Sequence, residues 1–493
     1  MQKVIANILM LAAATLMISW PHVLNGYPTI FMDTVPFFVS GRKTLQVTGA
    51  MPKPSAAVAA TAAREDAPAA GATPTPKQPE RSGIIRSPFY GTPAMAIATA
   101  TGSWGAVAVV QALWLAAALL LALPWLGVIS RDARLVAIAL LSLFSALPFF
   151  AHVLIADVFA GLVPLGVALL VIFGGRMSQP ERWFWLITLF GVGLFHPAFA
   201  IHGYLLLLVL LPWLWRGEPA LRRNALIAAA AIVPALLLNL VLPTVIGRLN
   251  PGSVAPPFLL SRAIGDGTAG KVLREACPAS HRVSCSFLPG LPMTGDQFLW
   301  ESRAVTPWVA RDPAERLAIN AEELPILLDV LMRYPGEQLG ASLGNTARQF
   351  VSVELDEFRD SDRLRASMAA SGFGAEYQRF HATPAAATAP AHQYFAGLWT
   401  ALYLLSVVVL GGLLAARLFA PGRLSRAVPR DLAAFAAIIL VSLVLSAAVN
   451  GTLSGVFGRY QGRVSWLAPL ALGSLGWALV RTRRPSPAMP ATD

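Results

Sequence analysis

Apolar residues run along this chain in long unbroken blocks joined by short polar stretches. That is the pattern of helices that cross a bilayer, not the narrow stripe of a surface helix or the alternation of a strand. A crossing needs about 20 such residues to cover about 30 Å of hydrocarbon. Ten blocks qualify: 4–24, 104–129, 135–150, 154–174, 183–197, 199–215, 224–244, 396–416, 432–449 and 464–480. The blocks at 135–150 and 183–197 are short, and each is divided from its successor by a few residues, at Pro148 to His152 and at His196-Pro197. Both junctions read as tight hairpins, the alternative being one long broken helix in each place. The first block follows Lys3 and shows no small-x-small pattern before Asn25, so it is expected to be an uncleaved anchor.

Between the blocks the chain changes character. Residues 50–80 are rich in Ala, Pro and Thr and poor in bulky apolar side chains, as in a disordered linker that cannot bury a core. Residues 245–395 carry helix-like runs at 314–333 and 337–354 and an aromatic cluster at Phe298-Leu299-Trp300, enough for a small, mostly helical soluble domain. Residues 382–391 read as a flexible return to the membrane. The expected organisation is therefore an anchor at 1–24, a first loop at 25–103, helices two to seven across 104–244, the inserted domain at 245–395, the last three helices across 396–481 and a tail at 482–493. The fold class is all-α and polytopic.

Composition narrows the function. Of 493 residues, 56% are apolar and only 13% charged, about half the charge of an ordinary soluble domain. A cytosolic enzyme, a nucleic-acid module and a disordered chain are excluded as readings of the whole. The net charge of +12 does not point to nucleic acid, because the arginines stand in short joints between apolar blocks. Arginines cluster at 131–134, 176–182, 216–223, 417–430 and 481–484, on the side that also holds Lys3, while the opposite turns near 151 and 198 have no Lys or Arg. The positive-inside rule then predicts both termini in the cytoplasm and 25–103, 245–395 and 450–463 outside. Cys277 and Cys285 fall in an outside segment, at a spacing that fits one disulfide in an oxidising compartment and is too sparse for a zinc site.

Candidate chemistry concentrates at the outer ends of the blocks. Asp33 follows the first block closely and is the only acidic residue before Glu65; a solvated loop carboxylate is the ordinary alternative. Arg86 precedes the second block on the side where arginine is least expected, though an arginine there also snorkels to headgroups. Asp157 lies in an apolar run, where a carboxylate at mid-span costs on the order of 3 kcal/mol. Five residues from His152, it is expected about 7.5 Å down a helix, facing an aqueous cavity or paired to a neighbouring helix. Arg459 and Arg463 are four apart and share one face of a helix, where two guanidinium forks suit a phosphate. His22, His152, His196 and His202 sit near outer ends but match no ligand spacing, so no metal or other cofactor is indicated. The run Glu354, Asp356, Glu357, Asp360, Asp362 with Arg359 and Arg363 reads as a solvated helix face. There is no phosphate-binding glycine loop and no nucleophile elbow.

Several segments together resemble the GT-C type membrane glycosyltransferases, which include protein O-mannosyltransferases and aminoarabinose transferases. The segments are NGYPTIFMDT around Asp33, RSPFYG with Arg86 and Tyr90 followed by a span containing Gln111, LIADVFAGL around Asp157, and GRYQGRVSWLAPLAL with Arg459 and Arg463. The resemblance covers roughly 1–240 and 396–481. It departs from the family where Asp33 stands alone instead of beside a second acidic residue, where 50–80 is inserted, and at Pro36 and Phe37. It implies a sugar donor carried on a polyprenyl phosphate, an acceptor in the cell envelope, Asp33 as general base, and a bacterial inner membrane location. Arg86, Tyr90, Asp157, His196, Arg459 and Arg463 would then bind substrate. A transporter or flippase using Asp157 and the histidines, and a non-catalytic assembly protein that keeps the fold, are the rival readings.

Overall fold

A backbone in hydrocarbon has no partner but itself, so apolar blocks of this length become helices. The computed structural model describes residues 2–52, 86–249, 254–302, 304–387, 389–419 and 428–483. Among them no strand occurs, only an isolated backbone bridge between Thr29 and Val153. Seven helical segments are long and apolar enough to cross a membrane: Gly105–Trp125, Ala156–Phe173, Pro197–Arg216, Pro219–Leu242, Gly397–Phe419, Arg430–Leu453 and Gly458–Arg481. The chain is an all-α protein of multi-pass membrane type.

In chain order the helices are α1 Gln2–Ile18, α2 Trp20–Asn25, α3 Thr34–Val47, α4 Pro88–Thr101, α5 Gly105–Trp125, α6 Arg131–Phe144, α7 Leu147–His152, α8 Leu162–Phe173, α9 Gln179–Phe195, α10 Pro197–Arg216 and α11 Pro219–Leu249. There follow α12 Phe258–Gly265, α13 Thr268–Ala276, α14 Pro313–Arg333, α15 Pro335–Val351, α16 Asp362–Ala370, α17 Gly374–His381, α18 Pro384–Ala387, α19 Ala389–Phe419, α20 Arg430–Leu453, α21 Gly458–Ser465 and α22 Leu467–Arg483. Every residue of α8 is buried, so this helix is the pillar around which the others stand.

Three of the ten expected spans are not among these seven segments: their helices α1 and α9 have 17 residues each and α6 has 14. The block 135–150 does not form one helix. Ser145 is extended (φ −145°, ψ 167°), which ends α6, and Leu147–His152 forms a separate buried turn of helix. Asp157 then sits in a 3₁₀ turn, Ala156–Phe159, at the very start of the segment Ala156–Phe173 and not within a regular α-helix. Such irregular backbone is tolerated because protein surrounds it and supplies its partners. The Gln111 amide donates to the carbonyls of Ala151 and Val153, both at 3.1 Å. At the other junction His196 is extended (φ −152°, ψ 131°) and caps α10, so the chain reverses there into an α9–α10 hairpin.

The first loop holds two helices, α3 and α4, on either side of residues 53–85, so that most of the linker expected at 50–80 lies outside the described residues. These helices touch backbone to backbone. A Cβ on Gly41 would stand 2.1 Å from the Gly91 carbonyl oxygen, and one on Gly91 would stand 2.0 Å from that of Phe37. Residues 25–29 are strapped to the 3₁₀ region: Thr29 N–H donates to the His152 carbonyl and Leu154 N–H to the Thr29 carbonyl, each at 3.1 Å.

The segment expected as one soluble domain at 245–395 divides. Residues between Val254 and Tyr334 have their own core around Phe287, Phe298 and Trp308, with Cys277 and Cys285 joined in a disulfide. Residues from Val353 to Phe380 instead join the core of the membrane helices. Nor is 382–391 an unstructured return: α18 and the start of α19 occupy most of it, as its alanines favour.

The glycine contact generates a prediction. Gly41→Ala or Gly91→Ala forces α3 and α4 apart and costs at least about 1–3 kcal/mol, the usual range for overpacking. Gly473→Ala on α22, where a Cβ meets nothing within 4 Å, is neutral or slightly stabilising. Thermal unfolding of the detergent-purified variants measures the contrast.

Candidate functional site

The α3–α4 contact sets two charges side by side. Asp33 is the N-cap residue of α3, but its carboxylate does not cap the helix. It accepts from Arg86, Nη2 to Oδ1 at 2.8 Å. Arg86 precedes the N-cap of α4, Ser87, whose hydroxyl is tied to the Leu194 carbonyl at 2.6 Å. The Ser40 hydroxyl donates to the Arg86 carbonyl at 3.3 Å and fixes the same corner.

From the other end of the chain comes α21. Its position is set by the stretch after α15, since a Cβ on Gly458 would fall 2.3 Å from the Glu354 carbonyl oxygen. The Gln349 amide brackets Phe457, accepting from its N–H at 2.9 Å and donating to its carbonyl at 2.8 Å. Arg459 thereby reaches the second oxygen of Asp33, Nη1 to Oδ2 at 3.3 Å, and its Nε lies 3.2 Å from Glu357 Oε2. One turn on, Arg463 donates to Asp157 Oδ1 at 2.7 Å and to Asn450 Oδ1 at 3.2 Å. Aromatic faces steady both guanidinium groups: Arg459 lies 4.6 Å from the Phe31 ring and Arg463 4.8 Å from that of Tyr460.

Three carboxylates, Asp33, Asp157 and Glu357, thus face three guanidinium groups, Arg86, Arg459 and Arg463. All six line one cavity of about 990 Å³, together with His196 and Tyr460. The opposite wall comes from α12, α15 and residues 294–301, where Arg262 and Asn345 both donate to Asp266, at 2.6 and 2.8 Å. The close charges are imperfectly aligned. The Nε groups of Arg86, Arg459 and Arg463 and the Nη1 of Arg459 are buried and make no hydrogen bond of good geometry. These donors are buried, so an anion entering the cavity gains guanidinium N–H groups by exchange with the carboxylates.

Glu357 was not legible as part of a site. The acidic run is not a helix face: residues 352–361 are irregular, and Phe358 is anchored edge-on against Phe31 and Phe150, with ring centroids 5.1 and 5.7 Å away. That anchor turns Glu357 towards Arg459, while Asp360 accepts from the Tyr377 hydroxyl at 3.0 Å. No local sequence signal marks Glu357, because its place depends on the Gly458 contact and the Phe358 anchor, which only packing brings about. Burial raises the Glu357 carboxyl above its ordinary value, with Arg459 opposing the rise.

Two sequence candidates stand elsewhere. Tyr90 is buried outside the cavity lining; its hydroxyl donates to Gln111 Oε1 at 2.7 Å, which orients the amide that holds the turn before Asp157. It supports the site and cannot touch a ligand in it. His202 is buried between α10 and α20, with Nε2 2.9 Å from the Ser442 hydroxyl. Among the described residues no three His, Cys, Asp or Glu side chains gather as a metal-ligand set.

The raised Glu357 carboxyl has a pH signature. The folded state holds this proton more tightly than the unfolded chain, so stability is fullest below the ordinary carboxylate value of 4.5 and falls as pH rises through the folded value. In Glu357→Gln that fall is absent. Thermal unfolding measured upward from about pH 4.5 reads the difference.

Comparison with models of known protein families, with curated proteins and with solved structures gives no match.

Proposed function

We propose that this protein is a membrane-embedded glycosyltransferase that moves a sugar from a polyprenyl-phosphate donor to an acceptor hydroxyl at the periplasmic face of a bacterial inner membrane. One observation carries the reading: charged residues far apart in sequence, each at the same end of an apolar helix bundle, converge on a single cavity. In this reading α1, α6 and α9 also cross, making ten spans with both termini inside, and the cavity opens outside. The disulfide between Cys277 and Cys285, in the subdomain whose helices and loops form the cavity's second wall, supports an oxidising compartment.

The chemistry follows from the charges. The donor phosphate enters beside Arg459 and Arg463 and takes up guanidinium N–H groups, loosening the hold of Arg459 on Asp33 Oδ2. Asp33 then removes the proton of the acceptor hydroxyl. The hydroxyl oxygen bonds to the anomeric carbon as the bond from that carbon to the phosphate oxygen breaks. The electron pair leaves on the phosphate, which the arginines stabilise. A phosphate leaving group needs no proton from a general acid, so one carboxylate suffices. Asp157 holds Arg463 in place, and His196 lines the acceptor side.

A second reading has its own observation. Both oxygens of Asp33 are held by arginines, 2.8 and 3.3 Å away, as in a structural clamp. A non-catalytic envelope protein with this fold would keep such a clamp closed.

Membranes containing the protein, incubated with labelled polyprenyl-phosphate sugars, separate the two. Asp33→Asn lowers turnover by a factor of about 10²–10⁴, the usual size of general-base catalysis, with donor binding nearly intact. Wild-type turnover in that variant removes Asp33 from the chemistry. Arg459→Ala or Arg463→Ala weakens binding of a polyprenyl phosphate about tenfold or more, since a charge-assisted contact contributes about 1.5–3 kcal/mol. Unchanged donor binding in the double variant leaves these arginines as structural partners of Asp33 and Asp157.

A further inference from the structure

The subdomain between Val254 and Tyr334 is expected from sequence to be soluble, yet it shows an apolar face. On α14 the side chains of Leu317, Leu324, Leu328, Leu331 and Met332 are each more than half exposed. Their spacing places them on one side of the helix. The charges of α14 turn the other way. Glu322 accepts from the N–H groups of Val283 and Ser284 at 2.7 and 3.0 Å, Glu323 from that of Leu260 at 3.0 Å, and Asp329 from Arg282 at 3.0 Å. Arg316 is buried against the Trp308 ring. A helix facing water does the opposite. The face continues onto α15, where Leu339 and Leu343 are also more than half exposed.

We propose that the exposed face of α14 and α15 is immersed in the bilayer, in the leaflet on the cavity side of the bundle. The observation that names lipid as the occupant is where α15 sits. It packs along α20, one of the membrane-crossing helices, so closely that a Cβ on Gly451 would stand 2.9 Å from the Asn345 backbone. The leucines of α15 therefore extend the lipid-facing surface of the bundle, on which Val444 of α20 and Leu240 of α11 are likewise more than half exposed. The apolar surface spans two helices, wider than the seam of a two-helix dimer. With six charged residues in its 21, α14 cannot cross the hydrocarbon. It lies along the surface with its charges held by the subdomain and its leucines in the acyl region. The cavity wall formed by α12 and α15 then stands at the level of the headgroups, within lateral reach of a lipid-borne substrate. This placement does not depend on what chemistry the cavity performs.

Site-directed spin labelling of the full chain in lipid nanodiscs tests it. The two native cysteines are consumed by their disulfide, so single cysteines introduced at Leu324, Leu328 and Leu343 take the label alone. Ala321→Cys serves as a second α14 position should a leucine variant fail to fold. Leu240→Cys gives the lipid reference and Arg359→Cys, in the irregular stretch before α16, the water reference. Collision rates with oxygen relative to a water-soluble nickel chelate are expected to be several-fold higher at 321, 324, 328 and 343 than at 359, and close to the value at 240. Ratios like that at 359 overturn the proposal by placing the face in water. Labels shielded from both reagents, with dipolar broadening between copies, overturn it in favour of a dimer contact.

Discussion

A guanidinium group taken out of water needs a carboxylate beside it, and this requirement shapes the cavity end of the molecule. Arg463 is 4% exposed and Arg459 9%, and neither could be held there without Asp157, Asp33 and Glu357. Those three carboxylates come from the first loop, from a turn in the middle of the bundle and from the stretch after α15. Losing one partner of a buried pair costs about 3–5 kcal/mol, comparable with the whole stability of many domains. The cluster therefore fixes how separate parts of the chain meet. The supporting devices serve it: the Gly41–Gly91 approach, the Thr29 strap, the Tyr90–Gln111 brace and the Gln349 bracket.

The same cluster sets a tension. Charges that satisfy one another completely would leave nothing for a ligand, and charges left apart would not stay buried. The compromise is visible in the geometry: the ion pairs are close, yet several guanidinium N–H groups lack an aligned acceptor. The site is stable without being saturated. In the proposed reaction, anion binding is an exchange of partners.

Much of this was legible in the sequence. Apolar blocks gave most of the helices, because in hydrocarbon hydrophobicity and hydrogen-bond closure point to the same structure. Asp157 stood out as a charge in an apolar run, and Arg459 and Arg463 by their four-residue spacing on one helix face. What escaped was irregular or depended on distant contacts. Nothing local marks Ser145 as the end of a helix or Ala156–Phe159 as a 3₁₀ turn. Glu357 looked like its acidic neighbours until Phe358 was seen wedged between Phe31 and Phe150. Tyr90 looked like a ligand contact because it shares a segment with Arg86, while its hydroxyl is spent on Gln111. The division of the inserted segment into two parts was hidden because both parts read as amphipathic helices, and only packing assigns each to a core.

The pairing of Asp157 with Arg463 spans 306 residues of sequence, and a ribosome makes one long before the other. Asp33 and Asp157 are already made while α21 is not. During that interval Asp33 has Arg86 but not Arg459 as a partner, and the turn that holds Asp157 lacks Arg463 to close upon. The cavity is thus finished from the C-terminal end, when the last helices slot against the pillar of α8. A chain cut short before α21 would contain most of the apolar bundle yet leave Asp157 without Arg463 at the cavity end.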